Sequence, residues 1–202
     1  MLEVSDISFD YADKPLLHHI NLTLAAGTFL HVQGVNGSGK TTLLKLIAGL
    51  LQPEKGRIYY QGQYIWHNIM LYQQRISYLG HKSAVSLRLT LAEHCYLELC
   101  LDNHSDNLKR IISLFSLEKY WLTPLYLLSA GLLRKVGLLR TLLAQTNLWL
   151  LDEPLVALDS CAMDALLSEM RRHLQQGGQI IASSHQPVNL TGIAVIKYDL
   201  SA

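Results

Sequence analysis

The stretch GVNGSGKT, at residues 34–41, constrains the fold of this chain more than any other segment. It follows the short apolar run FLHVQG, which predicts a buried strand, and it leads into residues 40–51, whose apolar side chains recur at helical spacing. Glycines followed by lysine and threonine, between a strand and a helix, form the pattern of a phosphate-binding loop. Such a pattern arises by chance in about one chain in a hundred of this length. The segment therefore predicts an α/β fold that binds a nucleotide.

The loop supplies the groups that a bound triphosphate needs. Gly34, Gly37 and Gly39 allow the backbone to fold so that its N–H groups surround an anion, and the following helix adds its positive end. Lys40 brings a full positive charge to the β- and γ-phosphates, while Thr41 offers a hydroxyl to Mg²⁺. The predicted nucleotide-binding residues are Gly34, Val35, Asn36, Gly37, Ser38, Gly39, Lys40, Thr41 and Thr42.

Two further predicted strands end in polar residues that suit the same chemistry. LWLLDEP, at 148–154, is an apolar strand that ends in two acids. Asp152 can bind magnesium, and Glu153 can orient and deprotonate an attacking water. SSH, at 183–185, ends the next strand, where His185 could reach the γ-phosphate. Taken singly, each motif also fits an ordinary strand end with solvated polar residues.

LSAGLLRK, at 128–135, has the features of a helix start. Ser129 is a suitable N-cap, and Ala130 and Gly131 carry little bulk. The free backbone N–H groups of such a first turn can meet an anion. An ordinary N-capped helix explains the same residues, so the local sequence leaves both interpretations open.

The order of the predicted elements favours an α/β domain. Strands and helices alternate along the chain, as in a parallel sheet covered by helices, and the first sixty residues add an antiparallel portion. This portion includes a hairpin that turns at Gly62. Residues 90–127 have a mostly helical pattern, which predicts a small helical lobe.

Composition limits the kinds of partner and the cellular compartment that we expect for this chain. The net charge of +1 gives no electrostatic reason to expect a nucleic-acid partner. Cys95, Cys100 and Cys161 have neither metal-ligand spacing nor a disulfide pattern, which fits a reduced cytosolic setting. The chain start lacks the apolar core of a signal peptide, and no run of eighteen apolar residues occurs, so we expect no membrane span.

GVNGSGKTT, LSAG, LLDEP, VALD and SSH follow one another in the order and at the spacing of the ABC-type ATPases, and the chain resembles that family over essentially its whole length. The resemblance implies a P-loop NTPase fold of the ABC type, with a RecA-like parallel core, an antiparallel β portion and a small helical lobe. It implies one domain over 1–202, with its core at 1–81 and 128–202 and its lobe at about 82–127. It also implies an ATPase of the translocase class that uses ATP and Mg²⁺.

The resemblance assigns roles to single residues. Tyr11 falls where the family places a ring that stacks on adenine. Lys40, Glu153 and His185 take the catalytic positions, and Thr41 takes a metal position. The other implied metal positions are Asp152 and His81.

In that family the signature motif acts on the ATP held by a second copy of the chain. The resemblance therefore implies an ATP-dependent homodimer in which residues 128–131 close over the γ-phosphate of the partner. These signature residues are Leu128, Ser129, Ala130 and Gly131, and the residues implied for the dimer seam are Ala157, Leu158 and Asp159.

YLGHKS, LSAGLLRKVGLLR, YYQGQ and SSHQP narrow the resemblance to the haem-exporter branch, the CcmA family of cytochrome c maturation. That branch implies a peripheral protein at the cytoplasmic face of the bacterial inner membrane. It implies integral-membrane permease subunits similar to CcmB and CcmC, which would grip the lobe near residues 82–120. It further implies that ATP hydrolysis drives haem export or the release of a haem-loaded chaperone.

Two positions depart from the family pattern. Leu132 replaces the glutamine of the signature. The glutamine that senses magnesium and the membrane partner should lie near residue 81, where the chain has His81 followed by Lys82. A histidine can still bind a metal or position a water, whereas a lysine cation would not bind Mg²⁺.

Three other functions remain open at the level of sequence. The chain could serve a transporter of another cargo, because the motifs do not identify the cargo. It could be a non-membrane ABC protein that acts on ribosomes or DNA, although such proteins usually carry tandem cassettes and a basic face. It could be an inactive nucleotide-binding scaffold, an alternative that His81 and Leu132 keep open. The residues that oppose it are the intact Lys40, Asp152, Glu153 and His185.

Overall fold

The structure is a computed structural model that describes residues 1–11, 14–82, 84–98, 106–185 and 187–200. The residues named from the sequence include Cys100, Ser83 in the motif YLGHKS and Gln186 in the motif SSHQP. The predicted helical lobe also includes residues 99–105. These positions lie outside the described residues.

The described residues form strands and helices in the predicted alternation. The strands are β1 (Leu2–Tyr11), β2 (Lys14–Leu24), β3 (Phe29–Gln33), β4 (Lys55–Tyr60), β5 (Gln63–Tyr64), β6 (Ile76–Leu79), β7 (Leu148–Asp152), β8 (Gln179–Ser183) and β9 (Val195–Asp199). The α-helices are α1 (Lys40–Ile47), α2 (Ile69–Gln73), α3 (Leu91–Glu93), α4 (Asp106–Leu114), α5 (Ala130–Leu143) and α6 (Ser160–Gln175). A π-helical turn covers His94–Glu98, and 3₁₀ turns cover Ile65–His67, Glu118–Tyr120 and Leu125–Leu127.

The first sheet is parallel and has the strand order β6-β7-β8-β3-β9. Every residue of β7 and β8 is buried, which explains the apolar runs LWLL in β7 and IIA in β8. Asp152 pairs with Ser183 across β7 and β8, and Val32 of β3 pairs with the same serine. The carboxyl ends of three central strands therefore meet at one edge of the sheet, and the predicted parallel core is confirmed.

The second sheet is antiparallel, with the order β2-β1-β4-β5, and it confirms the predicted antiparallel portion. The predicted hairpin at Gly62 is present, because Tyr60 pairs with Gln63 across a two-residue turn. Gln61 and Gly62 both have positive φ, of 53° and 78°. This is the backbone that suits a two-residue hairpin, since its twist matches the twist of the strands.

The chain packs as two compact units. The first unit comprises Met1–His81, Thr146–Pro154 and Met170–Ala202, and the second comprises Lys82–Gln145 and Leu155–Glu169. The sequence prediction placed all of 128–202 in the core, whereas α5 and the start of α6 pack with the second unit. The single ATPase domain over 1–202 stays a prediction.

The second unit is held together by a buried carboxylate and a guanidinium. Arg110 of α4 donates to both carboxylate oxygens of Glu169 on α6, at 2.6 and 2.8 Å. The hydrogen bond to Glu169 raises the pKa of Arg110. A two-pronged contact of this kind fixes orientation as well as distance, so it ties α4 to α6.

Two details of the helices differ from the sequence prediction. The helix predicted over 40–51 ends at Ile47, because Gly49 adopts a φ of 66° and turns the chain. Helix α2 was not predicted, since its apolar residues follow one another directly instead of recurring at helical spacing, and Met70 and Leu71 are exposed. Among the described residues, no helix combines the length and the hydropathy that a membrane crossing needs.

Two histidines of the first unit are partly or fully buried. His173 stacks on Trp149 with ring centroids 4.0 Å apart, and its Nε2 lies 3.2 Å from the carbonyl of Asn147. His31 is fully buried, and its Nε2 lies 3.1 Å from the carbonyl of Ser184. Burial lowers the pKa of both imidazoles below the ordinary value, and the carbonyl contacts oppose this lowering in part.

We expect the free energy of unfolding to fall on acidification because of these two groups. Below a pH of about 6.5 the unfolded chain protonates them, whereas the folded chain keeps them neutral until the pH reaches their lower folded pKa. Each group adds a slope of at most about 1.4 kcal/mol per pH unit in that window. His173→Phe keeps the stack on Trp149, and it should reduce the slope in urea unfolding from about pH 8 to about pH 5. Near pH 8 the histidine charge no longer contributes, so the difference in unfolding free energy between variant and wild type there measures the packing change alone. An unaltered slope would contradict the prediction.

Candidate nucleotide site

A pocket in the first unit lies at the carboxyl ends of the parallel strands and the amino end of α1. Ligand sites of open α/β sheets form at this edge, because the strand ends and helix starts present polar groups there. The lining residues are Leu16, Asn36, Gly37, Gly39, Lys40, Thr41, Thr42, His81, Asp152, Glu153 and His185. The structure therefore gathers the predicted loop, the two acids and His185 around one space.

The glycine loop has the backbone that its sequence predicts. Gly34, Gly37 and Gly39 have φ values of 149°, 84° and 98°, which L-residues with side chains rarely adopt. A Cβ on Gly39 would lie only 2.7 Å from a methyl carbon of Leu17, so the loop also needs glycine for space. The Lys40 ammonium donates to the carbonyl of Gly34 at 2.8 Å. The loop is thus closed around the cation that the sequence assigns to the phosphates.

The hydroxyl of Thr41 and the carboxylate of Asp152 form the candidate magnesium site. Thr41 Oγ1 donates to Asp152 Oδ2 at 2.7 Å, and Asp152 is buried. Within the described part of the chain, no group of three or more His, Cys, Asp or Glu side chains is placed to hold a metal ion. Mg²⁺ is usually bound by one or two protein oxygens together with phosphates and waters, so this sparse set of oxygen donors fits that ion.

Glu153 lies beside Asp152 in a strained backbone conformation. Its φ is 49°, in the left-handed region that costs a residue with a side chain about 1–2 kcal/mol. His185 Nε2 lies 3.4 Å from Glu153 Oε1, and the His185 N–H donates to Oε2 at 3.4 Å. The acid and the imidazole are therefore paired at the mouth of two adjacent strands, where a carboxylate can act on a water and an imidazole can meet a phosphate.

Two residues of the pocket lining were not settled by the sequence analysis: it left the role of His81 open, and it missed Leu16. His81 lines the pocket and Lys82 is not among its lining residues, and the residue that takes the family's glutamine position stays a prediction. Leu16 was not predicted, because a leucine within a strand belongs to no motif. Its N–H donates to Asp10 Oδ1 at 3.0 Å, and this bond holds the β2 backbone beside the pocket.

Tyr11 ends β1 and is 47% exposed, so its ring face is accessible to a ligand. It meets Phe9 edge to face, with centroids 5.0 Å apart. Its role in base stacking stays a prediction.

In the second unit, the signature residues form the predicted helix start. Ser129 Oγ accepts from the N–H of Leu132 at 3.3 Å, which confirms the N-cap. Ser129 and Ala130 are exposed. A Cβ on Gly131 would lie 2.9 Å from the carbonyl of Ala157. The glycine therefore allows the backbone at Ala157 to approach the start of α5 closely. The action of the signature on a second copy stays a prediction.

The predicted seam residues are fixed to the signature helix within the second unit. Lys135 of α5 contacts Asp159 at 2.7 Å, and this hydrogen bond lowers the pKa of the Asp159 carboxyl. The other oxygen of Asp159 accepts from the N–H of Ala162 at 2.8 Å and caps α6. The turn at 157–159 and the helix start at 129–131 are therefore held as one local structure.

Comparison with known proteins gives a consistent result. The sequence profile described as ABC transporter matches residues 17–156. The chain is 42% identical to the cytochrome c biogenesis ATP-binding export protein CcmA of Legionella pneumophila strain Paris, over 99% of this chain and 100% of that protein. It is 33% identical to the protein of the same name from Escherichia coli O157:H7, over 100% of this chain and 97% of that protein.

Solved structures agree on the architecture. An ATP-binding subunit of an ABC transporter superimposes with a TM-score of 0.83 and 29% identity, over 92% of this chain and 79% of that chain. An ATP-binding cassette solved as a dimer in a post-hydrolysis state, with ADP and phosphate, gives a TM-score of 0.78 and 20% identity over 92% and 88%. The second likeness concerns the fold alone.

We expect Lys40→Met to weaken ATP binding about 10- to 100-fold, because a hydrogen bond to a charged group contributes about 1.5–3 kcal/mol. Methionine keeps the aliphatic stem and removes only the ammonium group. Isothermal titration with ATP measures the loss. Lys45→Met changes the same residue type on the same helix, away from the described pocket lining, and serves as the control. Equal affinity of both variants would remove Lys40 from the phosphate site.

Proposed function

Because the chain belongs to the ABC transporter family of ATP-binding subunits, and within it to the cytochrome c biogenesis ATP-binding export proteins, we propose that it hydrolyses ATP to drive a membrane complex of cytochrome c assembly. The observation that carries this proposal is the pocket of the first unit. It gathers the glycine loop, a hydroxyl paired with a buried carboxylate, and a second carboxylate paired with an imidazole. Phosphoryl transfer needs this combination of positioning and charge stabilisation.

The residues of the pocket have different proposed roles in the reaction. The loop N–H groups, the start of α1 and Lys40 hold the phosphates and balance their charge. Glu153 orients the attacking water and accepts its proton, and His185 supports the γ-phosphate at the position that its contact with Glu153 sets. Thr41 and Asp152 would hold Mg²⁺. An ion held there would supply positive charge to offset the negative charge that develops on the phosphates.

The second half of the site is proposed to come from another copy of the chain. The exposed Ser129 and Ala130 stand at the start of α5, where unpaired N–H groups and the helix dipole favour an anion. The solved cassette with ADP and phosphate is a dimer and has the same fold, which is consistent with this arrangement. ATP binding would bring two copies together, and hydrolysis would separate them.

The proposed cargo and partners follow from the relatives. Their name describes an export protein of cytochrome c biogenesis, so we assign this chain to haem export or to the release of a haem-loaded chaperone. Permease subunits similar to CcmB and CcmC would hold it at the cytoplasmic face of the inner membrane. The second unit exposes apolar side chains that a membrane partner could cover, namely Leu87, Leu122, Tyr126 and Leu127. Co-purification of the tagged chain with these subunits, and the haem content of the complex, tests the assignment against a transporter of another cargo.

We expect Glu153→Gln to abolish turnover and to trap an ATP-bound dimer. The amide cannot accept the proton of water, and a general base contributes about 10²- to 10⁴-fold to a rate. Phosphate release and size-exclusion chromatography with Mg-ATP measure the two effects. Glu54→Gln removes an exposed acid of the same unit and serves as the control. Normal turnover without a dimer would exclude Glu153 as the base.

Cross-linking tests whether the signature meets the loop of a second copy. One chain carries Ser129→Cys and a differently tagged chain carries Asn36→Cys, both with Glu153→Gln and with the exposed Cys161 replaced by serine. We expect a disulfide-linked heterodimer that forms only with ATP, because Asn36 lines the pocket. Arg57→Cys in place of the Asn36 change puts the thiol on the antiparallel sheet and should give no product. An ATP-bound dimer without the cross-link would overturn the trans arrangement.

A further inference from the structure

Ser183 is a polar residue at a fully buried position. It ends β8 in the middle of the parallel sheet, between Asp152 on β7 and Val32 on β3, and its exposure is 0%. A hydroxyl at such a position is destabilising unless it is hydrogen-bonded. Both of its hydrogen-bonding capacities are directed at the two acids of the pocket.

The hydroxyl first fixes the carboxylate of Asp152. Ser183 Oγ donates to Asp152 Oδ1 at 2.6 Å, while Thr41 donates to Oδ2 at 2.7 Å. One donor on each oxygen prevents rotation of the carboxylate plane. Oδ2 therefore stays towards Thr41, the residue with which it forms the candidate magnesium site.

The same oxygen also holds the backbone of Glu153. Ser183 Oγ accepts from the Glu153 N–H at 3.1 Å, and the Ser183 carbonyl lies 3.2 Å from the same N–H. The peptide of Glu153 is held in the left-handed conformation, with a φ of 49°. Strained backbone of this kind persists only where its surroundings fix it. The contact between Glu153 and His185 depends on this backbone orientation.

We propose that Ser183 is a positioning residue of the ATPase site, which uses one hydroxyl to set the Asp152 carboxylate and the Glu153 backbone together. This role rests on the proposed function, because it matters only if the two acids serve ATP hydrolysis. Ser183 is fully buried and is not among the residues that line the pocket. It acts by coupling the metal-binding acid to the proton-accepting acid, so that neither can move alone.

Ser183→Ala tests this role in the full-length chain, and Ser77→Ala is the matched control. Ser77 is also a buried serine of the parallel sheet, and its hydroxyl lies 2.8 Å from Thr146 Oγ1, away from the acids. Loss of a group that orients a metal ligand costs about 10- to 100-fold in metal affinity or activity. We expect a loss of that size in kcat for Ser183→Ala and wild-type turnover for Ser77→Ala.

Binding measurements, which do not depend on turnover, distinguish a positioning role of Ser183 from a general loss of the pocket's structure. The affinity for ATP in EDTA should stay at the wild-type value in Ser183→Ala, because the described hydrogen bonds of Lys40 do not involve Ser183. The Mg²⁺ concentration that half-saturates the increase in ATP affinity should rise. A kcat equal to that of Ser77→Ala would overturn the proposal. An equal loss of ATP affinity with and without Mg²⁺ would also overturn it, since the hydroxyl would then serve the fold of the whole pocket.

A second variant keeps the test valid if Ser183→Ala is unstable. Ser183→Cys fills a similar volume, but a thiol is a weak donor and acceptor, so we expect the same loss of kcat and the same shift in Mg²⁺ dependence. Wild-type kinetics in Ser183→Cys would overturn the role. If the wild type and Ser77→Ala themselves fail to hydrolyse ATP, the proposed function fails instead, which distinguishes the two outcomes.

Discussion

The buried carboxylate of Asp152 is the constraint around which the first unit is built. A charge removed from water is destabilising unless close donors compensate it. The donors here are the hydroxyl of Thr41, in the first turn of α1, and the hydroxyl of Ser183, at the end of β8. Satisfying one carboxylate therefore fixes a helix and a neighbouring strand relative to β7. The unit cannot be well folded at this edge without bringing the loop and the acids together, so stability and site assembly are the same requirement.

Two strained backbone positions lie in the segment that follows this carboxylate. Glu153 and Ala157 have φ values of 49° and 64°, although neither is glycine. Strain of this kind persists where hydrogen bonds or packing fix it, and it is typical of functional segments. Glu153 is fixed through its N–H in the first unit, and the turn after Ala157 is fixed by the contact of Asp159 with Lys135 in the second. Only three residues separate Glu153 from Ala157 in the sequence, so a change at the acid has a short covalent path to the turn beside the signature helix.

The parts of the fold and site that the sequence predicts are those with a period or a motif. Buried strands read as apolar runs, and the glycine loop needs a backbone that few other residues adopt, so both leave a signal in the residues themselves. Leu16 leaves no such signal, and the motif SSH shows only that a polar residue, Ser183, ends a strand. The roles of both residues come from strand register, which sets neighbours that are distant in sequence. Helix α2 was missed because its apolar residues follow one another directly: Met70 and Leu71 are exposed, while Tyr72 is buried, so the sequence shows no helical spacing. Local pattern predicts the elements, whereas pairing between elements decides which single side chains complete the site.

The two departures from the family pattern differ in physical consequence. The signature turn uses the backbone of residue 132, since the Leu132 N–H caps onto Ser129, and a leucine donates that bond as a glutamine would. The leucine therefore keeps the helix start and loses only a side-chain contact. The resemblance puts the family's glutamine position at His81 or Lys82, and the pocket lining includes His81 together with Asp152 and Glu153. An imidazole offers a nitrogen where an amide offers an oxygen, and Mg²⁺ prefers oxygen. The magnesium dependence of turnover, more than ATP affinity, is where a histidine at this position should differ from a glutamine.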